Sequence, residues 1–290
     1  SLLNMITAIW IALILLTIFY VYVFSKDLIQ HKTVLENISV AKTALIGFVV
    51  NFFDVLGIGA FAPQTALLKF TKQTEDRHLP GTMNVANTIP VLIQALIFIT
   101  IVKVESITLI AMLIAAMTGA VLGAGIVAKL KTRTIQLTMG FALLVTAFFM
   151  LAGQLEWIQG GGEAIGLTGW KLVVAIVANF ILGAFMTVGI GLYAPCMALV
   201  YALGMSPLVA FPIMMGSCAF LMPPASAKFI KEGAYNRKAA ISMAIPGAIA
   251  VLIAALVVKS LPLDVLRWVV IVVIVYTSVV MFRSAQQNKG

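Results

Sequence analysis

The feature that most constrains this chain is a repeated break. Gly57-Ile58-Gly59-Ala60-Phe61-Ala62-Pro63 returns almost verbatim as Gly189-Ile190-Gly191-Leu192-Tyr193-Ala194-Pro195, 132 residues later (189 − 57 = 132) in a chain of 290. Each copy lies between an apolar run and a short second run. Glycine tolerates positive φ, and proline lacks an N–H but suits a first helical turn, so each copy stops one helix and starts another. Inside lipid such breaks are costly unless protein or water surrounds them. The two copies therefore read as two halves of one substrate site.

Composition identifies the solvent. Hydrophobic residues make up 62% and charged residues 10%, against about 45–50% and about 25% in soluble domains. This is the composition of an all-α polytopic membrane protein. The net charge of +9 comes from basic residues placed between apolar runs, with no dense block interleaved with aromatics. Membrane topology explains that pattern, and no nucleic-acid partner is expected. Cys196 and Cys218 both lie in apolar stretches, which leaves neither a disulfide framework nor a CxxC metal site. His31 and His78 lie in loops with no second ligand at metal spacing. Paired intramembrane carboxylates, a Walker loop and a nucleophile elbow are all missing from the sequence. The chain reads as a non-enzyme without metal or cofactor.

The apolar runs set the organisation. Residues 1–42 read as an N-terminal transmembrane helix, roughly 5–24, and a cytoplasmic connector. The run lacks a basic n-region and a small-residue cleavage site, so it reads as a retained span and not a signal peptide. Residues 43–153 form a first repeat, 154–170 a Gly-rich external linker, and 171–290 a second repeat. Each repeat holds a broken-helix hairpin and three transmembrane helices. The expected spans are 80–102, 107–128 and 135–152 in the first, and 208–223, 239–258 and 265–282 in the second. Lys and Arg favour cytoplasmic loops. In the first repeat they cluster at Lys69, Lys72 and Arg77 and again at Lys129, Lys131 and Arg133. In the second they cluster at Lys228, Lys231, Arg237 and Lys238, one connection later. A returning hairpin plus an odd number of spans gives the same answer: two inverted-topology repeats, a recurrent transporter plan. The N-terminus is then outside, and the C-terminus, with Arg283 and Lys289, inside the bacterial inner membrane. Lys259 and Arg267, with Asp264 between them, run against the rule.

The site follows from the breaks. First-turn N–H groups and the helix dipole at Pro63 and Pro195 would face an anion. The candidate residues are Gly57, Gly59, Pro63, Gln64 and Thr65 at the first break, and Gly189, Gly191, Pro195 and Cys196 at the second. The competing reading is that these glycines and prolines only let helices pack closely. Duplication at matched positions favours a substrate site. The first long span of each repeat adds a polar cluster: Asn84, Asn87 and Thr88 in one, Gly216, Ser217 and Cys218 in the other. These groups either bond substrate or join helices, and Gln94 is weighed in the same way. Asp54, three residues before the first break, is a costly intramembrane carboxylate. It reads as a proton or cation coupling site, or as an acid held by a neighbouring helix. Its counterpart is Met186, so the role is asymmetric. Asn51 and Asn179 share a Val-x-Asn-Phe context and read as packing or capping groups. Lys103 and Lys231 sit at span ends, where lysines snorkel. Tyr193, Tyr201 and Trp157 suit an interfacial or packing role as well as a ligand contact.

With doubled Gly-x-Gly-x-x-Ala-Pro hairpins, each followed by a polar-centred span and two more spans, residues 43–284 resemble the TauE/SafE sulfite exporter family, also called the toluene sulfonate uptake permease family. Its members commonly carry a denser glycine run than Gly57-Ile58-Gly59-Ala60-Phe61. The resemblance implies transport of sulfite, sulfonates or related small anions. It points to residues 57–65 and 189–196, with Asn84, Asn87, Ser217 and Cys218 beside them. The expectation is a secondary transporter that exports an organosulfonate or sulfite by alternating access, driven by protons or membrane potential. Its partners are the small anion and membrane lipid, and the sequence sets no oligomeric state. The alternatives are a channel-like conduit, a permease for small carboxylates, and an intramembrane enzyme or assembly partner.

Overall fold

The structure is a computed structural model and describes residues 2–99, 104–158, 161–256 and 262–288. The described residues form eleven α-helices in chain order. They are α1 (Leu2–Gln30), α2 (Val40–Val55), α3 (Phe61–Phe70), α4 (Leu79–Phe98), α5 (Ser106–Val127) and α6 (Thr132–Gln154), then α7 (Gly169–Met186), α8 (Tyr193–Ala202), α9 (Pro207–Lys231), α10 (Arg237–Leu256) and α11 (Asp264–Gln287). Eight of them are long and apolar enough to cross a membrane. At 1.5 Å per residue, α2 extends about 24 Å and α3 only about 15 Å, against a hydrocarbon core of about 30 Å. The first hairpin thus has one long and one half-length arm, as does the pair α7 and α8.

Helix ends differ from the expectation in two instructive places. The helix α9 continues through Pro223 and Pro224 to Lys231, beyond the expected end at 223. Both prolines remove backbone donors, but this stretch is packed between α4 and α5, and Leu221, Met222 and Ala225 are buried. Tertiary packing overrides the local preference. Similarly, α1 runs past residue 24 to Gln30. Asp27 then lies on its last turns, ion-paired with Arg237 at 2.7 Å and accepting a hydrogen bond from Tyr235. Burial and the Asp27 carboxylate push the Tyr235 phenol up, which keeps it a donor. The expected ends at Val102 and Val258, and the lysines Lys103, Lys259 and Lys289, lie outside the described residues.

The helix pairs follow a pattern. α2 packs on α10 as α7 packs on α5, and α4 packs on α10 as α9 packs on α5. α3 meets α11 as α8 meets α6, while α4 with α9 and α6 with α11 pair across the middle. Exchanging α2–α6 for α7–α11 maps each of these pairs onto another in the set. Close backbone approach makes the α5–α7 pair: a Cβ on Gly119 would lie 2.0 Å from the Phe180 carbonyl oxygen, and one on Gly183 would lie 2.2 Å from that of Ala116. α1 has no counterpart and packs on α9 and α4.

Hydrogen bonds show which helix ends meet. At one end, which is rich in lysine, the Ser39 N–H bonds Gln73 Oε1 at 2.7 Å, Asn236 Nδ2 bonds the Gln73 carbonyl at 3.1 Å, and the Arg237 N–H bonds Glu36. Lys69 Nζ also reaches Ser284 Oγ there at 3.3 Å. At the other end, rich in glycine, the Glu105 N–H bonds the Ile165 carbonyl at 2.9 Å, the Leu167 N–H bonds Thr108 Oγ1 at 2.9 Å, and the Ser206 N–H bonds the Ala164 carbonyl at 2.8 Å. So α2, α4 and α10 start at the lysine-rich end, whereas α5, α7 and α9 start at the glycine-rich end.

Candidate substrate site

Both breaks are closed by the same local geometry. Gly57 has φ 104° and Gly189 φ 101°, the left-handed conformation that ends a helix without a Cβ penalty. Ahead of them the Ile58 N–H bonds the Phe53 carbonyl at 3.0 Å, and the Ile190 N–H bonds that of Phe185 at 3.3 Å. The next helices start at once, and no side chain caps α3 or α8. Their first intrahelical bonds run from Gln64 N–H to the Ala60 carbonyl and from Cys196 N–H to that of Leu192. The N–H groups of Phe61 and Ala62, and of Tyr193 and Ala194, stand before those bonds, at the tips.

The two tips line one cavity of about 620 Å³, within the ~300–1,000 Å³ of small-molecule sites. Residues 54–63 and 190–195 form facing walls, with Met186, Asn87, Met214, Met215 and Cys218 between them. Gly153, Gln154 and Arg267 carry the cavity toward the glycine-rich end. Of the residues singled out in the sequence, Asp54, Gly57, Gly59, Pro63, Asn87, Gly191, Pro195 and Cys218 line it. Gln64, Thr65, Asn84, Thr88, Gly189, Cys196 and Ser217 are buried but are not part of this lining.

Most of that buried group joins helices. Asn87 Nδ2 donates to Gln64 Oε1, and Asn51 Nδ2 to Asn87 Oδ1 at 3.2 Å, tying α2, α3 and α4. The second half has its own version, with Asn179 Nδ2 bonded to Ser217 Oγ at 3.1 Å. Thr88 and Ser226 hydroxyls meet at 3.0 Å between α4 and α9. Thr65 Oγ1 bonds the Phe61 carbonyl at 2.9 Å, and Asn84 Nδ2 bonds that of Pro80 at 2.9 Å. The Cys196 thiol is fully buried behind the second tip, and the Cys218 thiol faces the Met186 sulfur at 3.7 Å.

Asp54 is 5% exposed. Its carboxylate accepts a bond from Gln94 Nε2 at 2.7 Å and faces the Ala60 backbone N–H. Gln94 Oε1 in turn accepts from Tyr193 OH at 3.4 Å. A chain of side chains thus runs from the acid at the first break, through α4, to the first residue of α8. Sequence reasoning left Gln94 between a substrate contact and helix glue, and Tyr193 between an interfacial or packing role and a ligand contact. Their link depends on a tertiary contact between residues 99 apart in sequence, which no local pattern signals.

A pair of half-length helices whose tips share a mainly apolar cavity with a few polar groups, inside a bundle of apolar spans, resembles the plan of known transporters. Residues 171–290 match the family model described as sulfite exporter TauE/SafE. The TauE/SafE segment covers α7 to α11, and so includes the second break and Arg267. No curated protein and no solved structure matches the chain. The eight apolar helices, with the TauE/SafE match over residues 171–290, describe a multi-pass membrane protein. Among the described residues, no group of three or more His, Cys, Asp or Glu side chains is placed to hold a metal.

Proposed function

We propose that this protein is a secondary transporter that exports a small anion, an organosulfonate or a sulfite-type species, by alternating access between two inverted repeats, residues 43–153 and 171–290. The observation that carries the reading is that both amide-tipped breaks open into one cavity. Helix N-termini supply donors and a positive partial charge to an anion. The residues assigned to substrate are Gly57, Gly59, Pro63, Asn87, Gly191, Pro195 and Cys218. Gln64, Thr65, Asn84, Thr88, Gly189, Cys196 and Ser217 hold the tips in place behind them.

Two observations support inversion: the exchange of helix contacts between α2–α6 and α7–α11, and the opposite starting ends of α4 and α9. The charge rule assigns the lysine-rich end to the cytoplasm and Leu2 to the outside of a bacterial inner membrane. Alternating access is supported by an asymmetry between the ends. At the lysine-rich end α3 is latched by Lys69 Nζ to Asp76 Oδ2 at 2.7 Å, and Gln136 Nε2 of α6 reaches the same oxygen at 2.8 Å. Tyr201 occupies the position matching Lys69 (201 − 69 = 132), and the cavity extends on that side along the end of α6. This conformation is then closed to the cytoplasm. A channel-like conduit needs no such latch. Asp54 is the coupling group: gaining a proton alters the bonds it makes with Gln94 and hence with Tyr193, at both tips together.

A thermal-shift screen of the purified protein against sulfite, thiosulfate, taurine, isethionate, sulfoacetate and simple carboxylates tests this reading. A specific binder present at 100 times its Kd stabilises the fold by about 2.7 kcal/mol. A sulfonate or sulfite should give the largest shift. No shift with any anion in the set contradicts the assignment.

A further inference from the structure

One charged side chain on the cavity wall has no part in the mechanism above. Arg267, in the first turn of α11, lines the cavity, and its Nη2 lies 3.5 Å from where a Cβ on Gly57 would sit. Its ion pair with Asp264 is 3.6 Å long, and the Asp264 side chain is 88% exposed, so water screens that pair heavily. Among the described residues its guanidinium has no hydrogen-bond partner and no ion pair with Asp54, whose carboxylate is held by Gln94.

The other half of the molecule supplies a contrast. The second break meets Met139 Cε of α6 at 3.7 Å from a Cβ on Gly189. Met83 Cε of α4 lies beside the same position, at 3.5 Å. The first break is thus flanked by a cation and the second by thioethers. Arg267 sits at the mouth of the cavity with its side chain 32% exposed, where a guanidinium reaches both water and the cavity wall. Guanidinium presents a planar fork that matches two oxygens of a sulfonate or carboxylate.

We propose that Arg267 recognises the negative head group of the transported anion, beside the first break. The proposal rests on the anion-transport reading and deepens it. The head group pairs with the guanidinium, and the remainder of the molecule lies against the apolar wall formed by Met186, Met214 and Met215. The substrate class this selects is a singly charged organic anion with a short apolar body.

Isethionate and sulfite binding to the purified full-length chain tests this, with Arg267→Gln, Arg267→Lys and Asp264→Asn. Loss of a charge-assisted fork predicts isethionate affinity weaker by roughly 10- to 100-fold in Arg267→Gln. Arg267→Lys should recover part of it, and Asp264→Asn should bind as well as the parent or better, because it frees the guanidinium. The ligand-free melting temperatures of all three should stay close to that of the parent. If Arg267→Gln binds isethionate as the parent does while Pro63→Leu does not, the Arg267 assignment fails and the transport reading stands. If Asp264→Asn loses as much affinity as Arg267→Gln, Arg267 acts through its ion pair and the assignment also fails. A parent protein that binds none of the screened anions overturns both.

Discussion

In the proposed transport cycle Asp54 carries the coupling, because its carboxylate starts a chain of side chains that ends at the opposite tip. Asp54→Asn keeps a hydrogen-bonding amide there and removes the ionisation, so transport should lose its dependence on pH while anion binding persists. Flux across a pH series in proteoliposomes reads this, and an unchanged profile would remove coupling from Asp54. The break glycines separate by conformation. Gly59 sits at φ 88° with nothing within 4 Å of a Cβ, whereas Gly191 has the same open space without positive φ. Gly59→Ala should therefore cost about 1–2 kcal/mol of stability, while Gly191→Ala should be near neutral; equal melting temperatures would contradict the geometry. Asp54 and the glycines were readable in the sequence, since an acid in an apolar run and a doubled motif both depart from background. Arg267 was visible only as an exception to the charge rule, because nothing local says that the start of α11 reaches Gly57. The methionines of the wall carry no periodic signal at all.

In the proposed cycle, helix α3 moves when the lysine-rich end opens. It is held there by Lys69, which bonds Asp76 and Ser284 with its side chain only 12% exposed. Removing one partner of a partly buried charged hydrogen bond costs about 2 kcal/mol, enough to shift a population tenfold or more. Lys69→Met should therefore raise labelling of cavity cysteines by a membrane-impermeant thiol reagent applied from the lysine-rich side. Labelling unchanged from that side would mean that the latch does not set the equilibrium. The helical hairpins, with their glycine break and proline restart, were foreseeable from residue types alone. The length of α9 was not, because Pro223 and Pro224 say stop locally and only burial against α4 and α5 carries the helix on. The polar clusters were ambiguous for the same reason. Asn87 faces the cavity while Asn84 and Thr88, within four residues of it, bond inside the bundle, and helical phase alone does not tell those faces apart.

At the scale of the whole molecule, the account is that two half-length helices, one from each repeat, hold one anion between their tips. The shift of the basic clusters by one connection is the sequence signal on which the proposed inversion rests, since loop charge records topology. The TauE/SafE match covers only 171–290, so the relation of the first half to the second rests on the exchange of helix pairs and the matched break geometry. The decisive measurement is ligand protection at both tips in one preparation. Single cysteines at Ala60 and Ala194, in a Cys196→Ser, Cys218→Ser background that keeps the parent's thermal shift with the anion giving the largest one, are modified with a thiol reagent while that anion is titrated. A shared site predicts that both cysteines are protected with the same half-saturating concentration. Protection at one tip with none at the other, or at neither while the anion is bound, would contradict it.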